Sequence, residues 1–145
     1  MANVAVAYGS EASLTISGLA TLANAALSSA STTISPSGNV LDYLISVNCT
    51  VGTIVAPASY SVYAFSSLDN VTFSDSTGTP PQNGRLLGTV STPASTTTYP
   101  SPAFSVAAAF SGTLPPNFQI RVYNNSGAAF TAGTAQQMPV YATVI

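Results

Sequence analysis

Apolar and polar residues alternate most regularly in VLDYLISVNCTV, from Val40 to Val51. Leu41, Tyr43, Ile45, Val47, Cys49 and Val51 fall on one phase, with Asp42, Ser46, Asn48 and Thr50 between them. That is the period-2 signature of a strand with one buried face. After a break at 52–57, the Tyr-, Val- and Phe-rich run from Ala58 to Ser66 predicts a second long strand, ending in the turn-forming Leu68-Asp69-Asn70. Their closeness in the chain predicts that these two strands pair as neighbours in one sheet.

The same reading extends in both directions. Val4 and Val6 alternate with small residues, so residues 1–10 read as an arm or a peripheral strand; Leu14 and Ile16 share a phase in a short strand closed by Gly18. Leu19 to Ala30 reads neither way, because its alanines favour helix while Thr21, Asn24, Ser28 and Ser29 weaken it. Downstream, Asn83-Gly84 is a turn dipeptide, Arg85 to Val90 a short strand, and Ser91 to Pro102, with three prolines, an extended strap over the surface. Phe104 to Phe110 resumes strand character, and Phe118, Ile120 and Val122 alternate with Gln119, Arg121 and Tyr123. Asn124-Asn125-Ser126-Gly127 predicts a hairpin turn into Ala128 to Thr131, and Met138 to Ile145 a final strand seated within a sheet. This gives about eight to ten strands with the turn spacing of an all-β sandwich or barrel, and no helix crossover pattern.

Composition changes the picture. Only 4% of residues are charged, against about 25% in ordinary domains, and Lys and His are absent. The charged side chains are Glu11, Asp42, Asp69, Asp75, Arg85 and Arg121, so the surface must be built of hydroxyls, amides, Gly and Ala. Such a surface repels its own copies weakly, which favours association. Lysines that normally guard sheet edges are missing, so Pro-rich segments or a partner must cover them.

Two arginines cannot supply the several phosphate contacts that nucleic-acid binding uses, so no nucleic-acid partner is expected. No run approaches the roughly 18 apolar residues of a membrane span. The first cation is Arg85, so the opening residues lack the positive region of a secretory signal and synthesis in the cytoplasm is expected.

Without His, Ser-His-Asp and Cys-His catalysis are excluded, and no enzyme, cofactor or metal site is expected. Asp69 and Asp75 are close in sequence but miss the calcium-loop spacing, and turn chemistry explains them more simply. Cys49, alone and on the apolar phase, reads as a small buried hydrophobe. Tyr8, Tyr60, Tyr63 and Tyr99 fall in or near segments expected to be exposed, a weak sugar-stacking signal in a chain without Trp.

The phrase YSVYAFSSLDNVTFSDS, the Thr/Pro-rich loop after it, and the closing runs FQIRVYNNSGAAF and MPVYATVI resemble small virion proteins of tailed bacteriophages, especially capsid cement or decoration proteins. The resemblance covers Val40 to Ile145 in layout and texture. It implies a single-domain antiparallel β-sandwich over residues 1–145, jelly-roll-like. It also implies self-association as a dimer or trimer, the major capsid protein as partner, and a place on the capsid exterior stabilising the phage head. Val4, Val6, Tyr8, Tyr99 and Phe104 are the expected contact residues. The competing reading is a carbohydrate- or receptor-binding module of a tail tip or fibre.

Overall fold

The computed structural model describes residues 3–54, 56, 58–74 and 80–145. Strands form where the sequence alternates: β1 (Val4–Tyr8), β2 (Ala12–Ser13), β3 (Ala26–Leu27), β4 (Val40–Val51), β5 (Ala58–Ser67), β6 (Arg85–Thr92), β7 (Thr98–Pro100), β8 (Phe104–Ser105), β9 (Asn117–Asn125) and β10 (Phe130–Val144). A 3-10 turn at Leu19–Thr21 and a single-turn helix, α1 (Val106–Ala109), complete the regular structure among the described residues.

Two antiparallel sheets pack face to face. The larger has the order β1-β10-β4-β7, with β2 also on β10 and β8 also on β4; the smaller has the order β3-β9-β5-β6. β1 and β2 meet β10 one after the other, at Val140–Val144 and then at Gln136–Gln137, so they act as one interrupted strand. β7 and β8 do the same along β4. Merged in this way, the strands occupy eight positions, and every connection crosses between the sheets except β5 to β6. This is the jelly-roll arrangement of two interlocked Greek keys.

That topology corrects two pairings expected from the sequence. β4 and β5 are not neighbours: β4 lies between β10 and β7, while β5 lies between β9 and β6 in the opposite sheet. The NNSG segment is likewise an arch between sheets and not a hairpin, since β9 and β10 belong to different layers. Both chain segments meet at one end of the sandwich, where the Gly52 N–H donates to the Ala129 carbonyl at 3.0 Å. A Cβ at Gly52 would lie 2.9 Å from that oxygen, so only glycine permits the approach.

Asn124 holds the second arch. Its buried side-chain amide donates to the carbonyls of Leu22 (2.9 Å) and Ala128 (2.8 Å) and accepts from the Ser126 N–H (2.9 Å), while Gly127 takes φ +85°. Asn124→Ala should leave the Ser126 N–H buried without its acceptor and remove one of two donors from each of the Leu22 and Ala128 carbonyls, which keep the Phe130 N–H and Ser126 Oγ. The expected loss is about 1–3 kcal/mol, read as a lower urea midpoint with an unchanged slope.

The expected strand from Phe104 to Phe110 is also corrected. Only Phe104–Ser105 is strand, and the chain then turns into α1. Ser105 Oγ accepts from the Ala108 N–H at 3.0 Å, while the Asp42 carboxylate accepts from Ser105 Oγ at 2.6 Å and from the Ala107 N–H at 2.8 Å. An N-cap followed by three alanines overrides the apolar run. Leu19 to Ala30 resolves into the 3-10 turn, entered through Gly18 at φ +73°, and the two residues of β3.

The core lies between the sheets. Ile45, Val47, Cys49 and Val51 of β4 are fully buried and face Tyr60, Val62, Val122, Ile120 and Phe118 from the other layer. Leu41 falls outside this phase: β4 bulges there, pairing Asp42 with Val140 and Val40 with Tyr141, and Leu41 is 47% exposed. Aromatic edges close the two layers together, Tyr43 against Phe118 and Tyr60 against Phe130, each with ring centroids 5.7 Å apart. Cys49 sits where its sequence phase predicts, and burial pushes its thiol up to about 12, so it remains a neutral packing group.

Candidate interaction surface

The charged groups are mostly committed to structure. Asp42 caps α1 as described, and its Oδ1 also accepts from the Tyr43 N–H. Asp69 closes its own turn, one carboxylate oxygen accepting from the N–H groups of Thr72 and Val71 and from Ser67 Oγ. Those backbone and hydroxyl donors hold its carboxyl well below the usual carboxylate range. Asp75, close to it in sequence, lies outside the described residues.

Arg121 stacks over the Phe65 ring at 5.8 Å and donates to the Ser28 carbonyl, and partial burial lowers its pKa. Among the described residues no group of three or more acidic, His or Cys side chains could hold a metal ion, and no helix is long and apolar enough to cross a membrane.

What remains exposed and distinctive is apolar. On β4, Leu44 and Ser46 alternate with core-facing Ile45 and Val47, so they lie on the outer face of the larger sheet. Their partners Met138 and Gln136 share that face, and alternation along β10 carries it through Val140, itself buried, to Ala142 and the exposed Val144. Across from these stand Tyr8, Val6 and Val4 of β1 in turn. Val4, Val6 and Tyr8 are 60–68% exposed, and Val144 and Ile145 beside them 75–76%. Val4, Val6, Tyr8, Ala142, Val144 and Ile145 include no charged residue; Glu11 lies farther along the face, beside Leu44, Ser46, Gln136 and Met138, and Asp42 stands opposite Val140.

β1 is also an open sheet edge. Asn3 and Ile145 exchange both backbone hydrogen bonds, and the Ala142 N–H turns the other way, to the Asn39 carbonyl. By the alternation of an antiparallel ladder, Ala5 and Ala7 bond to β10, while the N–H and C=O groups of Val4, Val6 and Tyr8 point away from the sheet.

The other three edges are guarded. β7 and β8 are short and broken by Pro100 and Pro102, β3 has two residues, and β6 begins at Arg85 and carries a bulge opposite Val62 and Tyr63. Among the described edge strands of five residues or more, β1 alone has neither charge, proline nor bulge.

The five expected contact residues therefore separate. Val4, Val6 and Tyr8 share one face of β1, whereas Tyr99 and Phe104 lie at the opposite edge of the sheet and are engaged in packing. The Tyr99 carbonyl accepts from the Tyr60 hydroxyl at 2.7 Å, and its own hydroxyl is tied to the backbone of Ala94. Phe104 fills the space over Gly88, where any Cβ would run into its ring. The strap expected between Ser91 and Pro102 thus covers the β4 edge through β7.

Tyr60, expected near the surface, is fully buried, and its hydroxyl donates across the core to the carbonyls of Val47 and Tyr99. Its position on β5 facing the other sheet accounts for this. Sequence reading missed Val144 and Ile145 as surface residues, because an apolar final strand is indistinguishable from a buried one without its neighbours.

A groove of about 460 Å³ lies elsewhere, between Leu68, Asp69, Thr72, Phe73, Pro115 and Pro116. The Asp69 oxygen that faces this loop is already saturated by its turn.

Comparison with known proteins gives little beyond this geometry. No family model and no curated protein matches the chain. Among solved structures, it is similar to a chain from Bacillus endospore appendages, described as a novel family of disulfide-linked pili, at 14% identity and TM-score 0.32, covering 97% of this chain and 89% of that one. It is also similar to a chain of infectious bursal disease virus, Gx strain, at 9% identity and TM-score 0.32, covering 99% of this chain but 32% of that one. Likenesses this distant carry no argument about role, and what stands is the fold itself, an all-β antiparallel sandwich.

Proposed function

We propose that this chain is a structural subunit of a virion, a cement or decoration protein that sits on the exterior of a tailed-phage capsid, binds the lattice of the major capsid protein and performs no catalysis. The observation that carries the reading is the apolar β1 end of the larger sheet, where Val4, Val6, Tyr8, Val144 and Ile145 stand exposed together with no charged side chain among them. An apolar patch held in water is a docking surface or a liability. Jelly rolls recur in capsid architecture, and a surface with few ions suits dense tiling. Each contact can be modest, since attachment at many lattice points multiplies the total affinity.

Binding built on apolar contact and backbone hydrogen bonds should be insensitive to salt. Purified protein added to capsids lacking it should bind with nearly the same affinity when ionic strength is raised several-fold, while Val144→Asp weakens binding at every salt concentration. A steep loss of wild-type binding with salt, or full binding by Val144→Asp, would overturn this reading.

A receptor-binding role on a tail tip has one observation in its favour, the groove beside Phe73, Pro115 and Pro116. Glycan-array binding that Phe73→Ala abolishes, by protein that ignores capsids, would transfer the assignment there.

A further inference from the structure

We propose that β1 is the seam of a twofold dimer, in which β1 of one copy pairs antiparallel with β1 of a second copy and joins the two larger sheets into one. The pairing is a property of the isolated protein and stands apart from the capsid reading above. It follows from which groups of β1 are free: the outward N–H and C=O groups belong to Val4, Val6 and Tyr8, spaced evenly about Val6.

A twofold axis through Val6 sets Val6 opposite its own copy and Val4 opposite Tyr8. Each of these pairs exchanges both backbone bonds, so every outward group of the strand is used. Sliding the register by two residues loses a pair, and sliding it by one sets donor against donor.

The side chains agree with this register. On the exposed face Val6 meets Val6 and Val4 meets Tyr8, a β-branched residue against an aromatic one, which is a favourable cross-strand combination. Ala5 and Ala7 on the other face are small and hinder nothing. No residue of β1 is charged, so two copies approach without the like-charge opposition that usually keeps edge strands apart.

A second copy is the occupant that these features fit, because a self-complementary strand closes on itself. Each subunit consumes the other's free edge and assembly stops at two, whereas pairing β1 to any other edge would leave an open end and grow. A five-residue seam is smaller than a standard interface of about 800 Å² per partner, so the dimer should dissociate on dilution.

Proline at position 6 tests the seam cleanly. The Val6 N–H points away from β10, so Val6→Pro removes a bond of the dimer and none of the fold. Sedimentation of purified protein at up to about 1 mM should show a concentration-dependent monomer–dimer equilibrium, with Val6→Pro monomeric throughout and melting with the parent.

Val6→Cys gives an independent readout. It should form a disulfide-linked dimer under mild oxidation far faster than Leu68→Cys, an equally accessible control at 87% exposure, with the native Cys49 buried and silent. A parent that is monomeric over the whole range, a dimer that survives Val6→Pro, or open-ended growth would each overturn the proposal. So would a monomeric parent whose capsid binding is lost on Val6→Pro, which would hand the edge to a strand of the capsid protein.

Discussion

Val47→Asp should leave the chain largely unfolded at ordinary temperature. Val47 has no exposed surface, and its backbone is bound on both sides, its N–H to Ser101 Oγ at 2.9 Å and its carbonyl to the Ser101 N–H at 2.8 Å. The strand cannot turn that position outward without breaking the β7 strap from the sheet. A carboxylate there is an uncompensated charge: of the chain's two cations, Arg121 is already engaged over Phe65 and Arg85 lies at the exposed start of β6. Breaking or stranding a buried charge costs about 3–5 kcal/mol, a large share of the 5–15 kcal/mol that holds an ordinary domain. Circular dichroism with urea titration is the measurement. A variant that unfolds at the parent's midpoint would mean that Val47 does not face the core.

Tyr60→Ala should cost as much by another route. The ring is fully buried, packs edge-on against Phe130, and reaches from the smaller sheet to carbonyls on two strands of the larger one. Truncation removes that contact and opens a cavity, for which about 3–5 kcal/mol is usual. Tyr60→Phe keeps the ring and deletes only the hydroxyl; the Val47 carbonyl keeps the Ser101 N–H, so the loss should be about 0.5–1.5 kcal/mol, that of a hydrogen bond between the layers. A thermal shift of roughly 2–4 °C per kcal/mol would resolve the two variants. Equal losses would mean that the hydroxyl alone holds the layers together, and a neutral Tyr60→Phe that its hydrogen bonds to the Val47 and Tyr99 carbonyls add nothing to the packing of the ring.

The contrast between these residues shows what the sequence could convey. Val47 was legible because burial of one face writes a period of two into the chain, and from Ile45 to Val51 that period is unbroken. Tyr60 was misplaced because tyrosine tolerates either side of a sheet, and only the partner layer decides which. Pairing was harder still. Turn residues such as Asn124-Asn125-Ser126-Gly127 announce that the chain reverses, yet a hairpin and an arch to the opposite sheet use the same chemistry. Here nearly every reversal is an arch, so local reading gave the strands and missed their neighbours.

The candidate surface was half visible. Val4, Val6 and Tyr8 stood out as an apolar strand with little to protect it, but what makes them a patch is the company of Val144 and Ile145, far away along the chain. Tyr99 and Phe104 drew attention for the same apolar character, and the structure spends them on the strap.

Val4 lies beside Val144, so the two ends of the described chain form adjacent rows of one sheet, with β10 running between β1 and β4. During synthesis β4 therefore waits beside an empty slot until residue 144 has left the ribosome, and the first residues wait longest of all. Such an order of events makes folding slow, since distant segments must meet before either gains a partner. The nascent protein is most vulnerable to mispairing in that interval, and shortening the chain at its C-terminal end by even one strand should leave two unclosed half-sheets in place of a slightly smaller domain.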